Sequence, residues 1–323
     1  MADVLAKREH NLIEIDMIDK IILGHNQFFG VNHLEAQAGN EREAYFSDAS
    51  RIMDIVNFSF DHGVKAMMMS THERAFVVAE EIQKDRRLHD ELGIYLLVPY
   101  VAKYIKQANE KGLVNIVRDS LSGTSFQDKM GMFWRGGMGL LTKDFKKILT
   151  AMIDFEVAPF ANLNLRAIFL HDVMTDLALG WDVPEVFRLY ADHVQSKYKA
   201  IPAFCTKNLG KLMNLLNRAG VENPLIMASI NKLGYQVNPS REAFEQTLRE
   251  HRLQLLAMST LAAGYLKPKE AYEYLFALPN VASVVVGVSK KNHAQETFET
   301  IRHYTQPAKK REIFDAPLQE MLA

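Results

Sequence analysis

The stretches LQLLAMSTLAAGYL (residues 253–266) and VASVVVGVSKKNH (residues 281–293) decide the fold of this chain. Each opens on a short β-rich apolar run and continues into small polar residues, and a segment with helical apolar spacing (267–278) joins them. Two parallel buried strands linked by a crossover helix have this pattern, because a strand covered on both faces reads as a continuous apolar run. The polar residues after each strand then share one rim.

Working outward, the same unit recurs. Apolar runs stand at 20–25, 64–70, 93–99, 166–171, 200–206, 225–230, 254–259 and 282–288, and helix-spaced segments at 47–62, 74–92, 184–198, 209–219, 241–251, 267–278 and 292–304. Gly63, Gly220 and Asn280 fall just before strands, where a helix must stop and the chain turn inward. Eight β/α units predict an α/β fold of the closed (β/α)8 type, a TIM barrel, as a single domain over residues 1–323 with residues 1–19 as an N-terminal extension. The rhythm breaks once, with a long insertion between strands 3 and 4. Residues 101–165 read as a helix (103–121), a loop (122–141) and a second helix (142–157). The loop combines Gly with Met, Phe and Trp, which reads as an active-site lid, with Trp134 and Arg135 as ligand contacts, against the plainer reading of a mobile surface loop.

The chain has 323 residues, 48% hydrophobic and 24% charged, with a net charge of −1. That composition is ordinary for a globular protein with a large core. It carries no basic, aromatic-interleaved patch, so no nucleic-acid partner is expected. No run of about 18 apolar residues is present, so no membrane partner is expected and a cytoplasmic location is. The single cysteine, Cys205, excludes an intramolecular disulfide and a multi-cysteine zinc site. The expected partner is a small-molecule substrate, with homo-oligomerisation left open.

In barrels of this type the site forms at the C-terminal ends of the strands. His171 follows Ala167 to Leu170 and precedes Asp172, which suits an imidazole acid or base beside a carboxylate, against the plainer reading of a strand-end hydrogen bond. His72 with Glu73 is the second such pair. Lys207 follows the fifth strand, and a desolvated lysine there serves as an electrophile or nucleophile; holding an anionic substrate is the alternative. His25, Asn26, Gln27, Tyr100, Asn231 and Lys232 are further strand-end candidates for ligand contact. His25, His72 and His171 together would suit a divalent metal such as zinc, although their spacing is no local metal motif and structural histidines are the rival reading. Ser259, Gly264, Ser289 and Lys290, after strands seven and eight, offer hydroxyls, flexible amides and an ammonium to a phosphate or carboxylate, or simply permit tight turns.

Several of these segments resemble the aldo/keto reductase superfamily. MSTLAAGYL is similar to its seventh-strand signature, and VVVGVSKKNHAQET to its eighth-strand pattern leading into a helix. The run ending in His171 matches the fourth-strand histidine, and Cys205 to Asn208 roughly matches the pair that holds a nicotinamide amide. The resemblance implies a (β/α)8 barrel and NADP as a cofactor, with Ser259, Gly264, Ser289 and Lys290 in its groove. It is incomplete: the family's Asp and Tyr after the second strand and Lys after the third are absent, leaving His171 alone of the tetrad. The aromatic that stacks on nicotinamide falls near Met258, and the amide-contacting Gln near Asn231.

Removing the tyrosine acid removes the usual proton donor to a carbonyl, leaving His72 or Tyr100 as substitutes. The expectation drawn from this is a barrel enzyme doing lyase, isomerase or hydrolase chemistry on a small polar, phosphate- or carboxylate-bearing carbonyl or sugar-like substrate. The alternatives are a divergent NAD(P)H-dependent oxidoreductase and a non-catalytic ligand-binding barrel.

Overall fold

A computed structural model of the chain describes residues 18–29, 41, 44–100 and 143–306. Eight parallel strands close into a barrel in sequence order: β1 (Ile21–Leu23), β2 (Ala66–Ser70), β3 (Gly93–Val98), β4 (Leu165–Leu170), β5 (Ile201–Cys205), β6 (Leu225–Ser229), β7 (Gln254–Met258) and β8 (Val281–Val286). Each falls within or within one residue of an apolar run read from the sequence. Closure is made by β1, which pairs with β8 at Ile21↔Val284, Ile22↔Val285 and Leu23↔Val286, and with β2 at Leu23↔Met67.

The strand pleat divides the apolar residues between two cores. Ile22, Met68, Tyr95, Phe169, Cys205, Met227 and Leu256 fill the barrel. Leu23, Met67, Met69, Leu96, Ile168, Phe204, Ile226 and Leu255 face outward against the helices. The run Met67 to Met69 therefore serves both cores, where flexible thioethers fill irregular space. Inside the barrel the Tyr95 and Phe169 rings lie 6.5 Å apart. Tyr95 donates its hydroxyl hydrogen to Asp19 Oδ2 at 2.9 Å and accepts from the Asp19 amide at 3.1 Å. Burial pushes both groups' pKa values up, so phenol and carboxyl share a proton-bearing contact beneath the core. With Ile18 also buried, residues 18 and 19 are part of the barrel rather than of an extension.

The helices are α1 (Ala49–Asp61), α2 (Glu73–Lys84), α3 (Arg86–Glu91), α4 (Lys143–Val157), α5 (Asp172–Trp181), α6 (Glu185–Tyr198), α7 (Leu209–Arg218), α8 (Arg241–Glu250), α9 (Pro268–Phe276) and α10 (Lys291–Thr305). Two differ from the sequence reading. The helix expected over 74–92 is interrupted at Asp85, whose backbone is extended and whose carboxylate caps α3 by accepting from the Arg87 and Leu88 amides. The sequence reading named no helix between the fourth strand and residue 184; that segment is α5, which starts directly at the rim with His171 as its N-cap and ends at Asp182 in the left-handed region. Of the insertion, α4 matches the second expected helix; the helix at 103–121, the loop at 122–141, and with them Trp134 and Arg135, lie outside the described residues. No helix among the described residues is long and apolar enough to cross a membrane.

Candidate active site at the mouth of the barrel

The strand ends bring polar groups around an apolar floor. Leu97, Met258 and Val285 pack against the inner core while remaining partly exposed, as residues do at the open end of a filled barrel. Cys205 belongs to the same floor; burial, reinforced by the charges of Asp172 and Asp176, pushes its thiol well up, so it serves as an apolar filler rather than a nucleophile.

The most developed constellation is at the exits of β4 and β5. His171 Nδ1 lies 2.7 Å from Asp172 Oδ1, with the two side chains 22% and 15% exposed. The Val173 amide lies 3.2 Å from the same nitrogen and 2.8 Å from Asp172 Oδ1. Nδ1 cannot accept from Val173 while donating to Asp172. The shorter, charge-assisted contact decides for a proton on Nδ1, with Val173 donating to the carboxylate. Burial by itself would raise the Asp172 carboxyl, but the His171 hydrogen bond, the His171 charge and the Lys207 ammonium, 3.6 Å from Oδ2, hold it below the usual carboxylate range. Asp172 is therefore an anion that orients His171, leaving Nε2 as the ring's second nitrogen.

Lys207 does not have the desolvated setting of a Schiff-base nucleophile: its side chain is 69% exposed. Its position is fixed instead by Asp176, one turn along α5 from Asp172. Asp176 accepts from the Thr206 hydroxyl at 2.6 Å and the Lys207 amide at 3.2 Å. Burial and the nearby Asp172 charge push the Asp176 carboxyl up. The sequence reading missed Asp176 because it missed the helix that carries it.

His72 caps α2, its Nδ1 accepting from the Arg74 amide at 3.1 Å, and its ring meets that of Tyr100 edge-on at 5.0 Å. Glu73 is exposed in the first turn of α2, where a carboxylate complements the helix dipole; it forms no catalytic pair with His72. Beneath this pair sits Glu156 of α4, a second group the sequence reading missed; it is 2% exposed and accepts hydrogen bonds from the Thr71 hydroxyl and, at 3.4 Å, from the Tyr100 amide. Its signal was available: Leu149, Met152, Ile153, Val157 and Phe160 are the apolar face of this segment, and Glu156 interrupts it at a core position.

His25 is a structural group. It is buried, it hydrogen-bonds the Met68 backbone, and desolvation, helped by His72 and His171, lowers its pKa to about 4. This contact spans β1 and β2 just beyond their one register pair, Leu23↔Met67. The imidazole is neutral in the folded protein, whereas the unfolded chain takes up a proton near pH 6.5, so stability falls as pH drops from about 6.5 to about 4. The expected loss is on the order of 3 kcal/mol across that window. Urea unfolding as a function of pH checks this, and His25→Gln should show a flatter dependence.

Among the described residues no group of three His, Cys, Asp or Glu side chains is placed to hold a metal ion, so His25, His72 and His171 are not assembled as ligands. Asn26 is exposed in a 3-10 turn (Asn26–Phe29), and Gln27 packs over Gly287, where a Cβ would come within 3.1 Å of its side chain. Asn231 is engaged by its own loop and by the loop after β7, donating to Tyr235 O and Ser259 O and accepting from the Tyr235 amide. Lys232 points away to an exposed 2.6 Å ion pair with Glu270. Neither fills the ligand-contact role expected of it.

After β7 the backbone takes positive φ at Ser259, Ala262, Ala263 and Gly264, conformations that suit small residues. Ser259 accepts from the Ser229 hydroxyl at 3.1 Å. After β8, Ser289 is half-buried and the exposed Lys290 starts α10 with no side-chain cap.

No protein-family model matches the chain, and no curated protein matches it. Solved structures do. A putative aldo-keto reductase from Pseudomonas aeruginosa is 13% identical, with 88% of this chain and 90% of that one covered at a TM-score of 0.58. A putative 2,5-diketo-D-gluconic acid reductase B is 11% identical over 91% and 85% of the two chains, at 0.54. An aldo-keto reductase from Bacillus halodurans in its apo form is 11% identical over 82% and 86%, at 0.52. The chain has the aldo/keto reductase fold. This finding corrects the expectation of lyase, isomerase or hydrolase chemistry: the structures that share the barrel over most of both chains are named as reductases, and they favour the oxidoreductase alternative. Asn208 Oδ1 caps α7 by accepting from the Lys211 amide.

Proposed function

We propose that the protein is a cytoplasmic, nicotinamide-dependent oxidoreductase that reduces the carbonyl of a small polar molecule with His171 as its proton donor. The observation that carries this reading is the His171–Asp172 contact at the mouth of a reductase-type barrel. Carbonyl reduction requires a proton on the oxygen as hydride reaches the carbon, and the family's tyrosine is missing here. An imidazolium at His171 meets the need: Asp172 stabilises its charge through Nδ1, and Nε2–H is the proton that passes to the carbonyl oxygen. The His171 contact and, secondarily, the Lys207 ammonium keep Asp172 ionised. The apolar floor of Leu97, Met258 and Val285 limits water beneath the reacting carbon and strengthens these charge interactions.

The residues fit the anionic part of a dinucleotide. The first amides of α10 have no side-chain cap, Lys290 and Lys291 flank them, and the small residues of the loop after β7 leave room for close approach. A bound reduced nicotinamide supplies the hydride. Titrating NADPH and NADH against thermal unfolding tests the reading: at about 100-fold excess over Kd, stability should rise by about 2.7 kcal/mol. The double substitution Lys290→Glu, Lys291→Glu should weaken that rise. No stabilisation by either nucleotide would sink the proposal.

A further inference from the structure

Glu156 is a carboxylate among apolar neighbours on α4, and burying such a group is unfavourable unless hydrogen-bond donors replace water. The donors found are specific. The Thr71 hydroxyl donates to Oε2, and the Tyr100 amide, 3.4 Å from the same oxygen, also donates to Thr71 Oγ1 at 3.0 Å. One carboxylate and one hydroxyl thus tie the end of the inserted segment to the exits of both β2 and β3. The next residue after Thr71 is His72, whose ring lies against the Tyr100 ring. The orientation of His72 is therefore fixed on one side by the helix cap to Arg74 and on the other by Tyr100, and Tyr100 is held through its own amide.

We infer that Glu156 is a positioning residue: through Thr71 and the Tyr100 amide it sets the His72–Tyr100 pair as one wall of the substrate site, where the reductase pattern would have a tyrosine and a lysine. The inserted helix is then part of the active site rather than an ornament on the barrel. This inference rests on the reductase reading, so its test carries a readout independent of turnover.

The experiment compares full-length wild type, Glu156→Ala and Glu156→Gln by the NMR resonances of the His72 imidazole and by steady-state reduction of an aromatic aldehyde with NADPH. Glu156→Ala should shift the His72 resonances and lower kcat by about tenfold or more, as misplacement by a fraction of an ångström does, while KM for NADPH stays within about twofold. Glu156→Gln, which keeps an acceptor oxygen, should recover kcat to within about threefold of wild type. If Glu156→Ala does not fold, Thr71→Ala, which removes the bridging hydroxyl, is read the same way. Unmoved His72 resonances, or a kcat within about twofold of wild type, overturn the inference. If wild type reduces no carbonyl compound, the reductase reading fails and the His72 resonances alone decide the role of Glu156.

Discussion

Asp172→Asn is expected to lower kcat for carbonyl reduction by about 10²–10⁴-fold, the range that a positioned acid or base contributes. The reason is electrostatic. Asp172 lies 2.7 Å from His171 Nδ1 and is held ionised by that contact and by Lys207. An amide of the same shape carries no charge to stabilise an imidazolium, and its NH2 group can turn toward Nδ1 and force the opposite tautomer. His171→Ala should fall in the same range, and the double variant should be little worse than either single one, because the two residues act as a unit. Nucleotide affinity should be nearly unchanged in all three, since the residues proposed to hold the nucleotide are on the loops after β7 and β8. Steady-state kinetics with the aldehyde varied at saturating NADPH, alongside nucleotide titration, checks both halves of the expectation.

Phe169→Ala should cost about 3–5 kcal/mol of stability, the largest effect expected from a single substitution away from the site. Phe169 is fully buried on the inner face of β4, between strands paired on both sides, and its ring fills the barrel beside Tyr95. A closed barrel cannot collapse onto the gap without breaking strand pairing all around, so little of the lost packing is recovered. Phe169→Leu should cost far less. Denaturant unfolding followed by circular dichroism measures both, with the wild-type slope retained if the fold survives.

The barrel was legible because strands buried on both faces cannot hide in a sequence: each of the eight apolar runs is a strand, and the insertion shows as the one gap too long for a crossover. The pairing of His171 with Asp172 was legible for a local reason, since neighbours at a strand end share the rim. What escaped was non-local. Glu156 meets a threonine 85 positions away and Asp176 one 30 positions away, and nothing in the local pattern names such partners. Exposure escaped as well: Lys207 and Lys232 stand in the sequence just as catalytic lysines do, and only the fold shows both reaching solvent. Asn231 looked free because its partners are backbone groups of its own loop and of the loop after β7. α5 escaped because Thr175, Asp176 and Gly180 weaken its helical propensity, and histidine is not among the residues that signal a helix start.

Hydride is proposed to leave a nicotinamide for a carbonyl carbon at this barrel mouth. The most direct test of this transfer is to incubate the protein with NADPH deuterated at nicotinamide C4 and a panel of aldehydes and ketones, and to analyse the alcohols by mass spectrometry. Alcohol carrying deuterium on the former carbonyl carbon is expected with wild type and almost none with His171→Ala; no labelled alcohol from any carbonyl compound with wild type would contradict the hydride transfer.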